Sequence, residues 1–345
     1  MLKTQFAIVI LVFLMALGCT GQYTNVPRTY VAHRTNDVMV IDGKDNESAW
    51  QTAEWSKSFI DIEGKKKPLY ETKVKMLWDM SYLYLLAKLD EPHVWGTLKQ
   101  RDTVVFYNND FEVFIDPDGD THNYYELEMN SLNTQWDLFL TKPYRNHGKV
   151  LDNWDIQGLK TAIHVDGTLN DPSDTDKGWT VEMAIPWAVV TEAADHNKTP
   201  VNEFWRINFS RVNWQFDLVE GTYSRKKDGK GKFLPEYNWV WSPQGVINMH
   251  EPEHWGYVFF SDGTPNEGST FEIPKDEHIK WQMYAQYRSL LEDESQKLPE
   301  SIKVQEVDIP LNLEKYPMGW SIWCISPFTQ VTLIIDQDGR FSQRK

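Results

Sequence analysis

The stretch FYNNDFEVFIDPDGDTHNYYELEMN, residues 106–130, decides the fold of this chain. Apolar and polar residues alternate over residues 111–115 and again over 125–129, and this period of two is typical of β-strands with one buried face. Between the two runs, residues 116–120 read DPDGD and supply turn-forming side chains. The stretch therefore predicts an antiparallel hairpin that carries both aromatic and carboxylate side chains.

Strand-like segments with turn residues between them recur through the middle of the chain. They cover residues 38–41, 74–78, 83–89, 111–115, 125–129, 136–140, 159–165, 179–185, 204–212 and 257–260. The long amphipathic helices that would connect a parallel sheet are missing from this part of the sequence. The pattern predicts an all-β protein, with an antiparallel β-sandwich over residues 30–262.

The composition changes after residue 262. Residues 263–268 read GTPNEG, which is typical of a linker. Apolar side chains then follow helical spacing between residues 274 and 296, and strand-like runs occupy 302–311, 319–326 and 331–335. We predict that residues 263–345 form a linker, a helix and short strands, as a small appendage to the sandwich.

The first residues predict export. Lys3 precedes an apolar run over residues 6–17, and Cys19 follows two residues later. A run of this length is a signal-peptide core, because a spanning helix needs about 20 apolar residues. The segment 1–19 resembles a bacterial lipoprotein signal in which Cys19 carries the lipid, with plain secretion as the alternative. We expect a tether over residues 20–29 and an anchor at the cell envelope, on its periplasmic or outer-membrane face.

Charge and aromatic content limit the ligands. The net charge of −15 argues against nucleic acid and anionic lipid surfaces as partners. The chain also holds 16 Trp, 15 Tyr and 16 Phe among its 345 residues, which exceeds the needs of one core. Surplus aromatic rings on a β-scaffold indicate a surface that stacks on flat ligands, of which sugar rings are the commonest.

Five motifs share one order along the chain. They are VIDGKDNESAW at 40–50, VKMLWDMSYLYLLAKLDEPHVW at 74–95, NDFEVFIDPDGD at 109–120, GWTVEMAIPW at 178–187 and NWVWSPQGVINMHEPEHWGYVFF at 238–260. Together they resemble carbohydrate-binding module family 9, in its stand-alone bacterial lipoprotein form. The resemblance implies a β-sandwich without chemistry of its own, which binds a poly- or oligosaccharide and works with glycan-degrading enzymes in polysaccharide catabolism.

The resemblance also implies a site. Characterised members hold a sugar end between two Trp indoles and bond its hydroxyls with acidic, amide and Arg side chains. In this sequence Phe106 or Tyr107 stands at the first indole position, the second falls near Met249, and Glu128 replaces the Arg of the return strand. Glu112 matches the family pattern. Either the ligand differs from the family's usual sugar, or other residues have taken over its contacts.

Two further sets of residues are candidates. Arg211 lies on the otherwise apolar face of the segment WRINFSRVNW, residues 205–214, where it could bond hydroxyls while Trp214 stacks, or pair with Glu112 or Glu128. Five Trp form the second set, at positions 95, 136, 154, 239 and 241, and of these Trp239 and Trp241 share one strand face. The full candidate ligand set is Trp95, Phe106, Tyr107, Asn109, Glu112, Glu128, Arg211, Trp214, Trp239, Trp241 and Met249.

Calcium is a candidate cofactor. Asp116, Asp118 and Asp120 occupy the first, third and fifth positions of a calcium-loop pattern, which Thr121 and Leu127 then break. A solvated turn is the alternative. The loop before Trp179 offers a second oxygen-rich cluster at positions 166, 171, 174 and 176. Members of the resembled family bind structural calcium, which adds weight to such an ion.

Two other functions compete with sugar binding. A glycoside hydrolase would need two carboxylates at a defined separation, for which Glu112, Glu126 and Glu128 are candidates, but no nucleophile elbow, zinc motif or phosphate loop is present and no catalytic residue is assigned. A haem-binding sandwich is the other alternative, because Met249 and His250 could serve as axial ligands.

Overall fold

The computed structural model describes residues 26–264, 269–293 and 295–345. The predicted signal peptide, Cys19 and residues 20–25 of the predicted tether lie outside these ranges. None of the helices found within them is long and apolar enough to cross a bilayer.

The first part of the described chain consists almost entirely of strands. They are β1 Thr29–Arg34, β2 Ile60–Asp61, β3 Thr72–Trp78, β4 Tyr82–Asp90, β5 Asp110–Asp116, β6 Tyr124–Asn130, β7 Gln135–Leu140, β8 Val150–Leu151, β9 Lys160–Asp166, β10 Gly178–Pro186, β11 Phe204–Asn213, β12 Phe216–Val219, β13 Thr222–Arg225, β14 Tyr237–Val240 and β15 Gly256–Ser261. Two short helices, α1 Ser48–Thr52 and α2 Trp187–Val190, and four single 3-10 turns lie between them.

These strands form a folded sheet. Within the described residues its order is β8-β7-β6-β5-β11-β15-β1-β3-β4-β10-β9, with β14 paired to β11 and β2 paired to β14. The inward side chains of both halves meet in one core, which includes Phe111, Val113 and Phe209 from one half and Met76, Leu85 and Val181 from the other. The sheet therefore closes on itself as a two-layered sandwich, and the predicted all-β fold is confirmed.

Two local predictions were wrong. Residues 38–41 form no strand, and Met39 and Ile41 instead pack beside the buried Trp50. The strand β1 begins at Thr29, inside the predicted tether, and runs parallel to both β15 and β3. It needs no helical crossover, because its two neighbours are reached through long stretches of other structure.

The second part is a helix packed on small sheets. It comprises α3 Lys275–Glu292, the ribbon β16 Ser301–Val304 and β17 Val307–Pro310, and the four-stranded sheet β18 Asn312–Tyr316, β19 Gly319–Ile325, β20 Thr332–Asp336 and β21 Phe341–Arg344. Helix α3 buries Ile279, Met283 and Leu290 in a core of its own with residues from these sheets. The segment 302–311, predicted as one strand, is a hairpin that turns at Gln305 and Glu306, both with positive φ.

The appendage holds the turn of the central hairpin. We call residues 116–120, between β5 and β6, the acidic turn. The Lys280 Nζ of α3 donates to the Gly119 carbonyl, and Arg340 Nε donates to Asp120 Oδ2 over 2.7 Å. Thr121 Oγ1 adds a hydrogen bond to the Gly339 carbonyl at 2.9 Å. The two parts of the molecule are thus joined at the acidic turn.

Candidate functional site

The central hairpin places a group of carboxylates on one face of the sheet. Alternation along β5 turns Phe111, Val113 and Ile115 into the core, so Asp110 and Glu112 point the other way. On β6 the same rule turns Glu126 and Glu128 outward. The strand register sets Glu112 directly opposite Glu128. Opposed residues on one face of a sheet lie close together. The acidic residues of β5, Asp110 and Glu112, therefore lie near those of β6, Glu126 and Glu128.

A cleft of about 440 Å³ opens over these carboxylates. Strands β5, β6 and β7 form its floor, and the segments around Tyr144 and around Ile247 form parts of its wall. The lining side chains are Ile62, Phe106, Glu112, Phe114, Glu126, Glu128, Trp136, Leu138, Tyr144, Arg145, Val150, Val212, Glu236, Asn238, Ile247, Met249 and His250. We refer to this space as the cleft.

The carboxylates of the cleft are hard to ionise. Burial raises the pKa of Glu112 to about 7, and the charge of Glu236 adds to the rise. Burial raises the pKa of Glu126 and of Glu128 well above the usual range, and neighbouring carboxylates reinforce both shifts. Glu128 Oε2 accepts the backbone N–H of Phe106 at 3.0 Å. The cluster therefore retains protons at pH values where exposed glutamates are fully charged.

Asp110 lies beside these groups and is completely buried. Its Oδ1 accepts the backbone N–H of Val212 at 3.2 Å, whereas its Oδ2 has no hydrogen-bond partner among the described residues. Oxygen atoms of Asp110, Glu112 and Glu128 lie within 4.8 Å of one another. An unpaired buried carboxylate oxygen is costly, and Asp110 lies next to the lining residues Glu112 and Glu128 without lining the cleft itself.

Aromatic side chains complete the cleft. Phe106, Phe114, Trp136 and Tyr144 line it together with the thioether of Met249. Trp136 stands opposite Glu128 in the register of β6 and β7, and its indole N–H finds no acceptor within the described parts of the chain. Ring faces beside hydrogen-bonding carboxylates can stack on a sugar ring while its hydroxyls are bonded at the edge.

His250 is held neutral at the wall of the cleft. Its Nδ1 shares a hydrogen bond of 2.8 Å with the Tyr124 hydroxyl, and its Nε2 lies 3.8 Å from Glu126 Oε2. Burial, assisted by Arg145, lowers the pKa of His250 to about 3. Because both ring nitrogens face protein groups, the geometry does not favour His250 as an axial haem ligand.

Four of the residues predicted from sequence line the cleft, namely Phe106, Glu112, Glu128 and Met249. The structure places the other seven elsewhere. Trp239 and Trp241 share a strand face as predicted, but that face points into the sandwich core. Trp95 and Trp214 pack with Val212 in a smaller buried cluster. We therefore assign these four Trp to packing and not to ligand contact.

Three other candidates, Arg211, Asn109 and Tyr107, also lie outside the lining of the cleft. Arg211 pairs with Glu91 at 2.5 Å and not with Glu112 or Glu128, and both side chains of this pair are buried. Asn109 supports it, since its amide lies 3.2 Å from Glu91 Oε2. Tyr107 is exposed beside the cleft, where the Arg225 guanidinium lies 4.5 Å from its ring centroid. These three residues have structural partners of their own.

Several lining residues were missed or left unassigned by the sequence. Glu126 was weighed as a catalytic candidate and Trp136 as one of five Trp, although the hairpin register alone places both beside Glu128. Phe114 shares the parity of Glu112 and could have been found likewise. Tyr144, Arg145 and Ile247 come from irregular segments, and no periodic pattern in the sequence indicates them.

Oxygen atoms of Asp116, Asp118 and Asp120 lie within 4.8 Å of one another, so calcium at the acidic turn stays a prediction. Asp116 accepts the backbone N–H groups of Gly119 and Thr121, both at 3.0 Å. Asp120 accepts the N–H of His122 at 2.7 Å and is bonded to Arg340. In the second oxygen-rich loop, Asp176 accepts the backbone N–H groups of Val94 and Thr168, both at 2.6 Å. Backbone N–H groups therefore already bond several carboxylate oxygens in both loops.

Comparison with known proteins agrees with this architecture. A family profile described as "Carbohydrate family 9 binding domain-like" matches residues 41–204. A putative carbohydrate-binding protein from Bacteroides uniformis has a similar fold, with a TM-score of 0.50 at 16% identity over 68% of this chain and 100% of that one. A family 9 carbohydrate-binding module from Caldicellulosiruptor kristjanssonii in complex with cellotriose matches with a TM-score of 0.45 at 16% identity, covering 72% of this chain and all of the module.

Curated relatives match over a shorter region. Exoglucanase XynX of Acetivibrio thermocellus is 29% identical over 117 residues, which are 34% of this chain and 9% of the relative. Endo-1,4-beta-xylanase A of Thermoanaerobacterium saccharolyticum is 28% identical over 152 residues, 44% of this chain and 11% of the relative. The chain therefore spans only about a tenth of these enzymes. Residues 41–204 are thus similar to the carbohydrate family 9 binding domain-like family, which confirms the resemblance predicted from sequence.

Proposed function

We propose that this protein binds carbohydrate in the cleft without transforming it, and that it serves polysaccharide catabolism. The observation that carries the proposal is the cleft itself, where four aromatic rings and three outward glutamates of one hairpin face the same space. The family of the matched domain supports the same function. The names of the curated relatives, a glucanase and xylanases, favour a plant-type polysaccharide or its fragments.

The size and the side chains of the cleft suit the binding of a sugar. Its volume lies within the roughly 300–1,000 Å³ of small-molecule sites. Each aromatic ring that stacks on the apolar face of a sugar adds on the order of 1 kcal/mol beyond the buried area. Glutamates that keep a proton can donate as well as accept hydrogen bonds, which suits hydroxyl groups.

Calorimetric titration with xylo- and cello-oligosaccharides tests the proposal. We expect Trp136→Ala to weaken binding at least tenfold, because it removes a stacking surface of the cleft. Tyr316→Ala is the matched control, since it removes an exposed aromatic ring from the appendage, and its affinity should equal that of the wild type. Absence of binding to any glycan in a broad array would refute the proposal.

A glycoside hydrolase is the second candidate, and one observation favours it. Glu112 and Glu128 stand opposite each other with carboxylate oxygens within 4.8 Å, close to the separation of about 5 Å in retaining enzymes. An assay of sugar release from the same oligosaccharides separates the two functions. Turnover that Glu112→Gln abolishes would replace the binding function with a catalytic one.

We also propose that Cys19 anchors the protein to the cell envelope. The support is the sequence alone, namely the short apolar run followed by Cys19. Detergent-phase partitioning of the wild type, lost in Cys19→Ser, is the expected result. Partners among glycan-degrading enzymes follow from the same picture and would be sought by co-purification.

A further inference from the structure

The charge of the cleft is unbalanced. Its lining includes the carboxylates of Glu112, Glu126, Glu128 and Glu236 but, among the described residues that line it, a single guanidinium. That guanidinium, Arg145, donates to the Ile247 carbonyl at 3.1 Å at the cleft wall. His250 adds no charge because its imidazole stays neutral. The lining is therefore rich in acidic groups and poor in cations, and a positively charged ligand would complement it.

The geometry at the floor suits a cation with several donors. Oxygens of Asp110, Glu112 and Glu128 converge within 4.8 Å, and Asp110 Oδ2 is fully buried without a partner. A primary ammonium carries three N–H donors and no acceptor. It could therefore donate to the oxygens of Glu112 and Glu128 that line the cleft, and its positive charge would favour release of the protons that burial holds on them.

The aromatic rings point to an ammonium on an organic framework. Phe106, Phe114 and Trp136 line the same space as the carboxylates. Ring faces attract organic cations and also stack on a sugar ring. A bare metal ion gains nothing comparable from aromatic and aliphatic walls, since it prefers oxygen ligands and water.

We propose that the cleft selects an amino sugar with a free amine, whose ammonium group contacts Glu112 and Glu128 next to the buried Asp110 while the ring stacks on the aromatic wall. The proposal rests on the carbohydrate-binding function and narrows its ligand class. It distinguishes this cleft from one that would hold a neutral sugar end by its hydroxyls alone.

The proposal implies a dependence on pH. The titratable or charged groups that face Glu112 are Asp110 on its own strand, Glu126 and Glu128 on β6, Glu236 before β14, and Tyr144, Arg145 and His250 on the wall. Because burial raises the pKa of Glu112 to about 7, acidification from pH 7 to 5 returns a proton to Glu112. Binding of an ammonium group should therefore weaken on acidification, while binding of a neutral sugar should change little.

Three monosaccharides that differ only at the second carbon test the idea, namely glucosamine, N-acetylglucosamine and glucose. We expect calorimetry at pH 7 to show glucosamine bound at least tenfold more tightly than the other two, with this preference lost at pH 5. Small ligands are needed, since a chain with a net charge of −15 attracts polycations without specificity.

Matched variants locate the effect. Glu128→Gln and, independently, Glu112→Gln should abolish the preference for the amine, whereas Glu300→Gln, which changes an exposed side chain and the same unit of charge, should keep it. Equal binding of all three sugars, or tight binding of calcium or manganese ions alone together with no amine preference, would overturn the inference and leave the carbohydrate function standing. No binding of any glycan would overturn both.

Discussion

One hairpin carries two acidic clusters at its two ends, and they are treated differently by the rest of the chain. At the acidic turn, the lysine of α3, Arg340 and several backbone N–H groups contact the aspartates or the carbonyl beside them. In the cleft, the glutamates face a space whose described lining contains one guanidinium, and that group donates to the Ile247 carbonyl at the cleft wall. Acidic residues are structural where the chain supplies their partners, and available to a ligand where it does not.

Burial acts on both clusters in the same direction. It raises the pKa of Asp118 to about 6 at the turn, as it raises the pKa of Glu112 in the cleft. At the turn, the charge of Lys280 opposes the shift of the neighbouring Asp116. We therefore expect that removal of a cation from the turn lowers the stability of the protein, whereas removal of a carboxylate from the cleft raises it.

The largest expected effect follows from Lys280→Met. Lys280 is buried, donates to the Gly119 carbonyl and lies 3.6 Å from Glu277 Oε1. Its loss removes the donor to the Gly119 carbonyl and one of the two cations beside the largely buried Glu277, so we expect urea denaturation to show about 3 kcal/mol less stability. Lys275→Met, at an exposed position of the same helix, should change stability by less than about 0.5 kcal/mol. Equal losses of stability in Lys280→Met and Lys275→Met would show that Lys280 does not support the acidic turn.

Glu112→Gln should increase stability, in contrast to Lys280→Met. The pKa of Glu112 is raised from 4.5 to about 7 on folding, so the folded protein binds more protons than the unfolded chain in that window. Stability contributed by this group is present below pH 4.5 and is lost as the pH rises to 7. We expect Glu112→Gln to gain on the order of 2 kcal/mol over the wild type at pH 8, and nothing at pH 4. Urea titrations at several pH values measure this difference.

The control for that variant is Glu300→Gln, which removes an exposed carboxylate. Its stability should follow the wild-type pH profile closely. A Glu112→Gln protein that is less stable than the wild type at pH 8 would show that the cleft carboxylates, like those of the turn, have structural partners.

Arg340→Gln should have the smallest effect. Its side chain is 52% exposed, although its partner Asp120 is largely buried. Solvent screens such a pair, so we expect a loss of about 0.5–1 kcal/mol in urea denaturation. Arg344→Gln, at the exposed end of β21, should cost nothing measurable. A loss as large as that of Lys280→Met would show that Arg340 is the main support of the acidic turn.

The sequence predicted what local alternation determines. The period of two in residues 106–130 gave the hairpin, and its register brings Glu112 and Glu128 together. The same reasoning showed that Trp239 and Trp241 share a face. It could not tell which face is inner, because that depends on strands that are distant in sequence.

Long-range pairings limited the rest of the prediction. Arg211 was recognised as an unusual charge, but its partner Glu91 lies 120 residues away, on the far side of the folded sheet. The strand β1 was missed because its short segment is stabilised by pairing with β15 near the other end of the sandwich. The wall residues of the cleft come from irregular loops, whose positions follow from the completed fold.

The contacts between the appendage and the acidic turn join segments that are synthesised at very different times. Lys280 and Arg340 lie 161 and 220 residues after the groups that they contact. During synthesis the hairpin is therefore made long before the side chains that cover its turn, and these contacts close large loops. Until the appendage emerges, the turn must remain hydrated, and the final docking of α3 completes a sandwich whose ligand cleft is already assembled.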